Sequence, residues 1–263
     1  MINYRCPICG DVLTPVGKSL KCTKHCYDVA KEGYVNFLSS SDKHSITPGD
    51  NKDMVVSRRI IMESGYYLPL TNYITQNFDF KDKTVLDIGC GEGFIARNLS
   101  KFAREVFGID ISKEAVKLSA KSDKSSSFSV ASMTHLPFFD HSFDFAVSAF
   151  APYNAKETKR ILKKDGTFIV AVPAEEHLFE LKKRLYETPI LNPKDETKID
   201  GFRLLKRERI DGNFVTDGKG AVTLLKMTPY FYRTNKSAIE ALTDIESISV
   251  NLSFSVSAFK PAD

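Results

Sequence analysis

From Thr84 onward, short apolar runs alternate with stretches in which apolar residues recur every three or four positions. Val85–Ile88, Val106–Ile109, Phe128–Ala131, Phe143–Ser148 and Thr167–Val172 read as strands. Helical segments centred on Ile95–Phe102, Glu114–Lys121 and Ala155–Leu162 separate most of them, and Lys164-Asp165-Gly166 reads as a turn into the fifth strand. Strand–helix alternation of this kind predicts a parallel sheet with helices on both faces. Near the end the period changes. Ile248, Val250, Leu252, Phe254, Val256 and Ala258 alternate with mostly small polar residues, which predicts a strand with one buried face. Phe202–Ile210 is its predicted antiparallel partner, so the fold expected is a mostly parallel α/β sheet with an antiparallel C-terminal edge strand.

The region before Thr84 is organised differently. Residues 1–38 carry only short apolar patches and are too few to build a core alone. Ser39 to Asp50 is polar, with turn chemistry at Pro48-Gly49, and reads as a linker. Helices are predicted over Met54–Met62 and Leu68–Phe78. The expected division is therefore a small module at 1–38, a linker and two helices at 39–80, and a catalytic domain at 81–263. No internal repeat is present.

With 263 residues, 42% hydrophobic and 27% charged, the chain can build one medium domain plus an appendage. No apolar run approaches membrane-spanning length, and the first residues show no basic patch followed by an apolar stretch. A cytoplasmic protein with no membrane partner is expected. The formal net charge of +4 permits a nucleic-acid partner without requiring one. Four of the five cysteines fall at Cys6, Cys9, Cys22 and Cys26, with Cys90 alone elsewhere. An odd count with no secretion signal argues against a disulfide framework, and crowding at one end points to metal.

Val85-Leu-Asp87-Ile-Gly89-Cys-Gly91-Glu92-Gly93-Phe94 puts three glycines between a predicted strand and a predicted helix. Glycine is needed where the chain turns sharply and its backbone approaches a ligand. The amides at the helix start suit an anionic group. Asp110, 21 positions after Gly89, ends the next strand, where a carboxylate can accept hydrogen bonds from a ribose diol; Ile111 follows it. A dinucleotide site wants glycine or alanine where this chain has Phe94. Asp87 within the first strand, the compact Gly-x-Gly-x-Gly spacing and Ala131–Phe138 after the third strand instead predict a class I, Rossmann-like methyltransferase that binds S-adenosyl-L-methionine. Cofactor contacts are expected from Asp87, Gly89, Gly91, Glu92, Gly93, Phe94, Asp110 and Ile111.

Cys6-Pro-Ile-Cys9 and Cys22-Thr-Lys-His25-Cys26 stand twelve residues apart. Two such pairs can close a tetrahedral, structural zinc site, with either His25 or Cys26 as the fourth ligand.

The string from His25 through Ala30-Lys-Glu-Gly-Tyr-Val-Asn-Phe-Leu38, following Cys-Pro-Ile-Cys, resembles the N-terminal module of the RlmA family of 23S ribosomal RNA guanine-N1 methyltransferases. The likeness continues through Pro48-Gly-Asp50, Ser57-Arg-Arg59, Gly65–Leu70, the glycine loop, Ala151-Pro152, His177–Lys182 and Met227-Thr-Pro229, so it spans nearly the whole chain. It implies three cysteines and a histidine as zinc ligands, which favours His25, and RNA recognition by residues 1–38. It also implies a homodimer acting on a guanine in a hairpin of domain II, one branch of the family conferring resistance to certain macrolides.

Guanine N1 carries a proton, so the base must be unpaired and deprotonated before methylation. Asp50 is the candidate catalytic base or, equally, the N-cap of the following helix. Tyr67 and His177 are candidates to line the cofactor cleft, Thr134 and His135 to flank the adenine, and Tyr153 to stack on the acceptor base. Arg58 and Arg59 are candidate RNA contacts, as are Lys156, Lys159, Arg160, Lys163, Lys164 and Lys182 to Arg184. The competing readings are a small-molecule methyltransferase with an incidental zinc module and an inactive RNA-binding zinc protein.

Overall fold

A computed structural model describes residues 3–38, 52–228 and 230–262. Its centre is an eight-stranded sheet. Strands β5 (Thr84–Ile88), β6 (Glu105–Asp110), β7 (Ser127–Val130), β8 (Phe143–Ala149) and β9 (Leu162–Pro173) run parallel in the order β9-β8-β5-β6-β7. Every residue of β5 is buried, as expected of a central strand covered on both faces. Its side chains alternate between two cores. Val85 joins Val106 and Val147 on one face, and Leu86 and Ile88 join Phe107 and Ala146 on the other.

The C-terminal strand β11 (Ile248–Pro261) lies antiparallel to β9, pairing Phe254–Phe259 with Phe168–Pro173. Its outer side is covered by β10 (Phe202–Thr216), so the outermost strand is β10. That partner is longer than the predicted Phe202–Ile210, because the pairing persists to Thr216↔Ile248. The turn expected at Lys164–Gly166 is a bulge within β9, where the pairing jumps from Phe143↔Leu162 to Phe145↔Thr167.

Helices distribute unevenly. One face carries α1 (Lys52–Glu63), α2 (Leu68–Asn77), α3 (Phe94–Leu99) and α4 (Lys113–Ser122), joined by α6 (Phe179–Leu185), α7 (Gly218–Lys226) and α8 (Lys236–Thr243). The opposite face holds α5 (Ala155–Ile161) and the N-terminal module. That module is a three-stranded antiparallel sheet, β1 (Thr14–Val16), β2 (Ser19–Lys21) and β3 (Cys26–Asp28). Its last segment, β4 (Val35–Asn36), pairs in parallel with β7 and so extends the main sheet. Tyr4 packs against Phe37, Phe107 and Phe138 with ring centroids 5.0–5.9 Å apart. Residues 3–38 thus share a core with the large domain. Among the described residues, no helix is long and apolar enough to cross a membrane.

Candidate active site and metal centre

The glycine loop leaves β5 and turns back through three residues with positive φ, Gly89 (+71°), Gly91 (+54°) and Gly93 (+85°). A Cβ on Gly89 would stand 2.3 Å from the Cβ of Ala151, so the close approach of this loop to the segment after β8 admits only glycine. A Cβ on Gly93 would meet Ser119 at 2.9 Å, which places Gly93 behind the loop, against α4. The loop is pinned from the neighbouring strand. The amides of Gly89 and Cys90 both donate to the Ile109 carbonyl at 2.9 Å, and the Gly91 amide donates to Asp110 Oδ2 at 2.9 Å. Asp110 Oδ1 accepts the Ser112 amide at 2.8 Å. The carboxylate is therefore oriented by backbone amides on both oxygens.

A cavity of about 760 Å³ opens over the C-terminal ends of the strands, the usual ligand position in such sheets, and has the size of a small-molecule site. Asp87, Gly89, Gly91, Glu92, Phe94, Asp110 and Ile111 line it, as do Arg58, Tyr67 and His177. Residues beyond β8 and β9 and along α7 close the far side, with Phe150, Leu224 and Tyr230 among them.

Two buried acids face this space. Asp87 accepts the Ala96 amide at 3.1 Å, and burial pushes its pKa up to about 7, with Asp110 adding to the rise. Glu92 is 2% exposed, and among the described residues neither of its oxygens has a hydrogen bond, while Arg97 forms an ion pair with it at 3.6 Å. Burial raises the Glu92 pKa against the pull of Arg97. A buried carboxylate without donors is costly unless a ligand supplies them. The residues fit S-adenosyl-L-methionine: a glycine cradle that a Cβ would fill, an oriented ribose acceptor at Asp110, and an orphaned carboxylate for a cationic end.

Beyond β8 the backbone is strained. Phe150 has φ +57° and Leu178 φ +60°, the left-handed region that side-chain-bearing residues rarely occupy. Phe150 is held by its amide to the Ala171 carbonyl, and Ser148 Oγ donates to the Ala151 carbonyl, both at 2.9 Å. The Phe150 ring stacks on Tyr67 (5.1 Å, 10°) and on His177 (6.0 Å, 26°). Tyr66 is 2% exposed and hydrogen-bonds His177 Nε2 at 2.8 Å. Neither Tyr66 nor Phe150 is legible as a site residue from the sequence. Aromatics before a strand and after one are ordinary, and what marks these two is contact with residues distant in sequence, Tyr66 with His177 and Phe150 with Tyr67.

Other expected site residues lie elsewhere. Thr134 and His135 are exposed and do not line the cavity; Ser132 and Met133 do, because the chain turns outward after them. His135 instead borders a small pocket with Arg5, Cys6 and Glu157 at the junction with the N-terminal module. Tyr153 turns to the other face, its ring edge-on to Phe168 at 4.9 Å. Arg59, half-buried on α1, pairs with Glu63 at 2.8 Å, and its charge pulls the Glu92 pKa down against the effect of burial. Arg160 and Lys182 are engaged within the fold. Arg160 bonds Glu157, Asp140 and the carbonyls of Leu136 and Phe138; buried Lys182 bonds the Ile190 carbonyl and Asn192. Asp50, with the rest of residues 39–51, lies outside the described residues.

At the other end, Cys6, Cys9, Cys22 and His25 bring their ligand atoms within 4.8 Å of one another. Cys9 Sγ stands 3.5 Å from Cys22 Sγ, and His25 Nδ1 stands 3.5 Å from Cys6 Sγ and 3.6 Å from Cys22 Sγ. A tetrahedral zinc with ordinary bond lengths sets such separations at roughly 3.5–3.8 Å. The His25 amide donates to Cys22 Sγ at 3.2 Å, which suits a thiolate. Cys26 is exposed at the start of β3, so His25 is the fourth member of the cluster. Three thiolates and an imidazole fit one structural zinc ion.

Comparison with known proteins agrees with this geometry. Residues 86–170 match the methyltransferase domain family, and residues 4–46 match the family described as "RlmA, N-terminal". A Bacillus subtilis protein provisionally named a 23S rRNA (guanine-N(1)-)-methyltransferase is 31% identical over 95% of this chain and 94% of its own. The 23S rRNA (guanine(748)-N(1))-methyltransferase of Streptomyces fradiae is 30% identical over 97% of each chain. Among solved structures, one from the Haloferax volcanii complex of the Trm112 activator with a methyltransferase superposes with a TM-score of 0.55 at 16% identity, covering 82% of this chain and all of the other. That likeness concerns the fold alone.

Proposed function

The chain belongs to the RlmA family of 23S rRNA (guanine-N1) methyltransferases, and from that premise we propose that it methylates N1 of a guanine in 23S ribosomal RNA. The observation that carries this reading is the joint presence, in one chain, of the glycine-loop cavity and the Cys6, Cys9, Cys22, His25 cluster over the full length of the relatives. A small-molecule methyltransferase accounts for the first feature and leaves the second without a use.

S-adenosyl-L-methionine, when bound, supplies a methyl group on a sulfonium, a strong electrophile that asks the protein mainly for positioning. Asp110, held by the Gly91 and Ser112 amides, is the acceptor for the ribose diol. Gly89 and Gly91 let the backbone approach, and Glu92 receives the cationic end. Phe94 closes the loop where a dinucleotide would need a small residue. Tyr67 and Phe150, stacked on one another, narrow the cavity and keep water from the region where the acceptor must lie. The acceptor guanine enters unpaired, since its N1 edge is otherwise occupied by cytosine.

The finer reading rests on the likeness of Ala30–Leu38 and its neighbours to the family. It comprises a guanine in a hairpin of domain II, an effect on macrolide susceptibility, a homodimer and a cytoplasmic setting. Residues 3–38 are the proposed RNA-recognition module, with Arg58 at the cavity as a phosphate contact. The test is transfer of labelled methyl from S-adenosyl-L-methionine to 23S rRNA fragments and, in parallel, to a metabolite extract. Label in RNA supports the reading; label in the extract alone overturns it.

A further inference from the structure

Hydrogen-bond accounting at Tyr66 and His177 leaves one donor facing the cavity. The backbone amide of Ser253, on β11, donates to His177 Nδ1 at 3.2 Å, so that nitrogen carries a lone pair. Burial pulls the His177 pKa down to about 4, and the ring is neutral at working pH. Its proton therefore sits on Nε2 and is donated to Tyr66 Oη at 2.8 Å. Tyr66 cannot then donate back. Among the described residues its hydroxyl has no other hydrogen-bond partner, and Tyr66 lines the cavity. A phenol is both donor and acceptor, and here its acceptor role is filled while its donor role is open.

The surroundings define what would take that proton. Tyr66 packs edge-on to Phe214 and Phe254, and next to Tyr67. Phe150, at the end of β8, stacks on His177. The hydroxyl therefore belongs to the part of the cavity beyond β8 and β9, while Asp110, the proposed ribose acceptor, ends β6 on the other side of β5. Aromatic walls with one donor fit a flat, neutral group bearing a carbonyl oxygen.

We propose that the Tyr66 hydroxyl, its proton directed into the cavity by His177, donates a hydrogen bond to O6 of the acceptor guanine. O6 adjoins N1 and takes up negative charge as N1 loses its proton, so a donor fixed there selects guanine over adenine and favours the reactive form of the base. Adenine presents an amino group at that position, which would meet the phenol donor to donor. Tyr66 is a specificity-determining residue in this account, and His177 is a positioning residue that acts through it.

The inference rests on the guanine reading above, and the experiment separates the two. Wild type and Tyr66→Phe are compared on a hairpin RNA whose target guanosine is intact or replaced by 6-thioguanosine, sulfur being the weaker acceptor. Wild type should slow on the thio substrate about tenfold more than Tyr66→Phe does, while both bind S-adenosylhomocysteine with equal Kd. Equal thio effects in the two enzymes overturn the proposal. So does a cofactor-product Kd raised in proportion to the lost activity, which would assign the hydroxyl to the cofactor. If Tyr66→Phe does not fold, 3-fluorotyrosine at position 66 keeps the packing and strengthens the donor. The thio effect should then exceed that of wild type, and an unchanged effect overturns the proposal. A wild type that methylates no guanosine in RNA would sink the guanine reading itself.

Discussion

Asp87 Oδ2 accepts the backbone N–H of Ala96 at 3.1 Å, so the acid inside β5 serves as a remote cap for α3 across the glycine loop. A helix start leaves its first amides without partners, and this contact satisfies one of them from the preceding strand. It also gives a reason for an acid in an otherwise apolar strand: it ties loop, strand and helix into one rigid cradle.

The same burial makes Asp87 a reporter of pH. Its folded pKa is raised from 3.8 to about 7. A raised carboxylate pKa means the folded state binds more protons than the unfolded state between these values. Its contribution to stability is full below about pH 4 and is lost as pH rises through 7. The isosteric Asp87→Asn keeps an acceptor for Ala96 and has no charge to bury. In the cofactor-free protein, the variant should gain on wild type by on the order of 4 kcal/mol between pH 4 and 8 in denaturant titrations. A pH-independent difference would contradict this.

The three loop glycines should not be equivalent. Among the described residues a Cβ on Gly91 meets nothing closer than Arg58 Nη1 at 3.7 Å, so Gly91→Ala costs mainly the left-handed backbone, about 1–2 kcal/mol. Gly89→Ala adds a Cβ 2.3 Å from that of Ala151 and must displace the segment leading from Phe150. Calorimetric titration should find cofactor binding weakened a few-fold in Gly91→Ala and abolished in Gly89→Ala. Equal losses would show that the Ala151 contact is relieved without consequence.

Much of this site is legible in the sequence because its physics is local. Gly89, Gly91 and Gly93 announce positive φ, Asp110 announces a strand end, and Cys6-Pro-Ile-Cys9 announces a metal turn. The rest depends on distant contacts. Phe150 occupies a left-handed conformation that no residue type signals, and Tyr66 meets His177 from 111 positions away. Thr134 and His135 are the expected adenine neighbours by position, yet the chain turns outward one residue earlier and offers Ser132 and Met133 instead. The second half of β10 escapes prediction because β10 is mostly exposed and shows no clean alternation; its length comes from pairing with β11. The choice between His25 and Cys26 needs geometry, since both spacings satisfy the ligand pattern.

Removing zinc should uncover one face of the sheet, because Cys6 and Leu13 belong to the same core as Phe107 and Phe138. His25→Ala should lose the ion and about 3 kcal/mol, lowering Tm by roughly 6–12 °C. Cys26→Ser should retain one zinc per chain by elemental analysis and melt as wild type does. Zinc loss in Cys26→Ser, with retention in His25→Ala, would reverse the ligand assignment.

Arg160 separates fold from RNA binding. Its guanidinium bridges Glu157, Asp140 and two carbonyls, and only 19% of its side chain is exposed. Arg160→Gln should cost about 2 kcal/mol while leaving unchanged the slope of log K for RNA against log salt. A slope reduced by about one would place Arg160 against a phosphate after all.

Guanine N1 lies on the Watson–Crick edge, where a methyl group arrests reverse transcription. Primer extension across 23S rRNA, from cells with and without this gene, reads that arrest directly. An N1-methylguanosine made by this protein gives a strong stop one nucleotide before a single guanosine, absent in the deletion, restored by the wild-type gene and not by Gly89→Ala. Identical stop patterns in the two strains, with digested 23S rRNA equally rich in N1-methylguanosine, would contradict it.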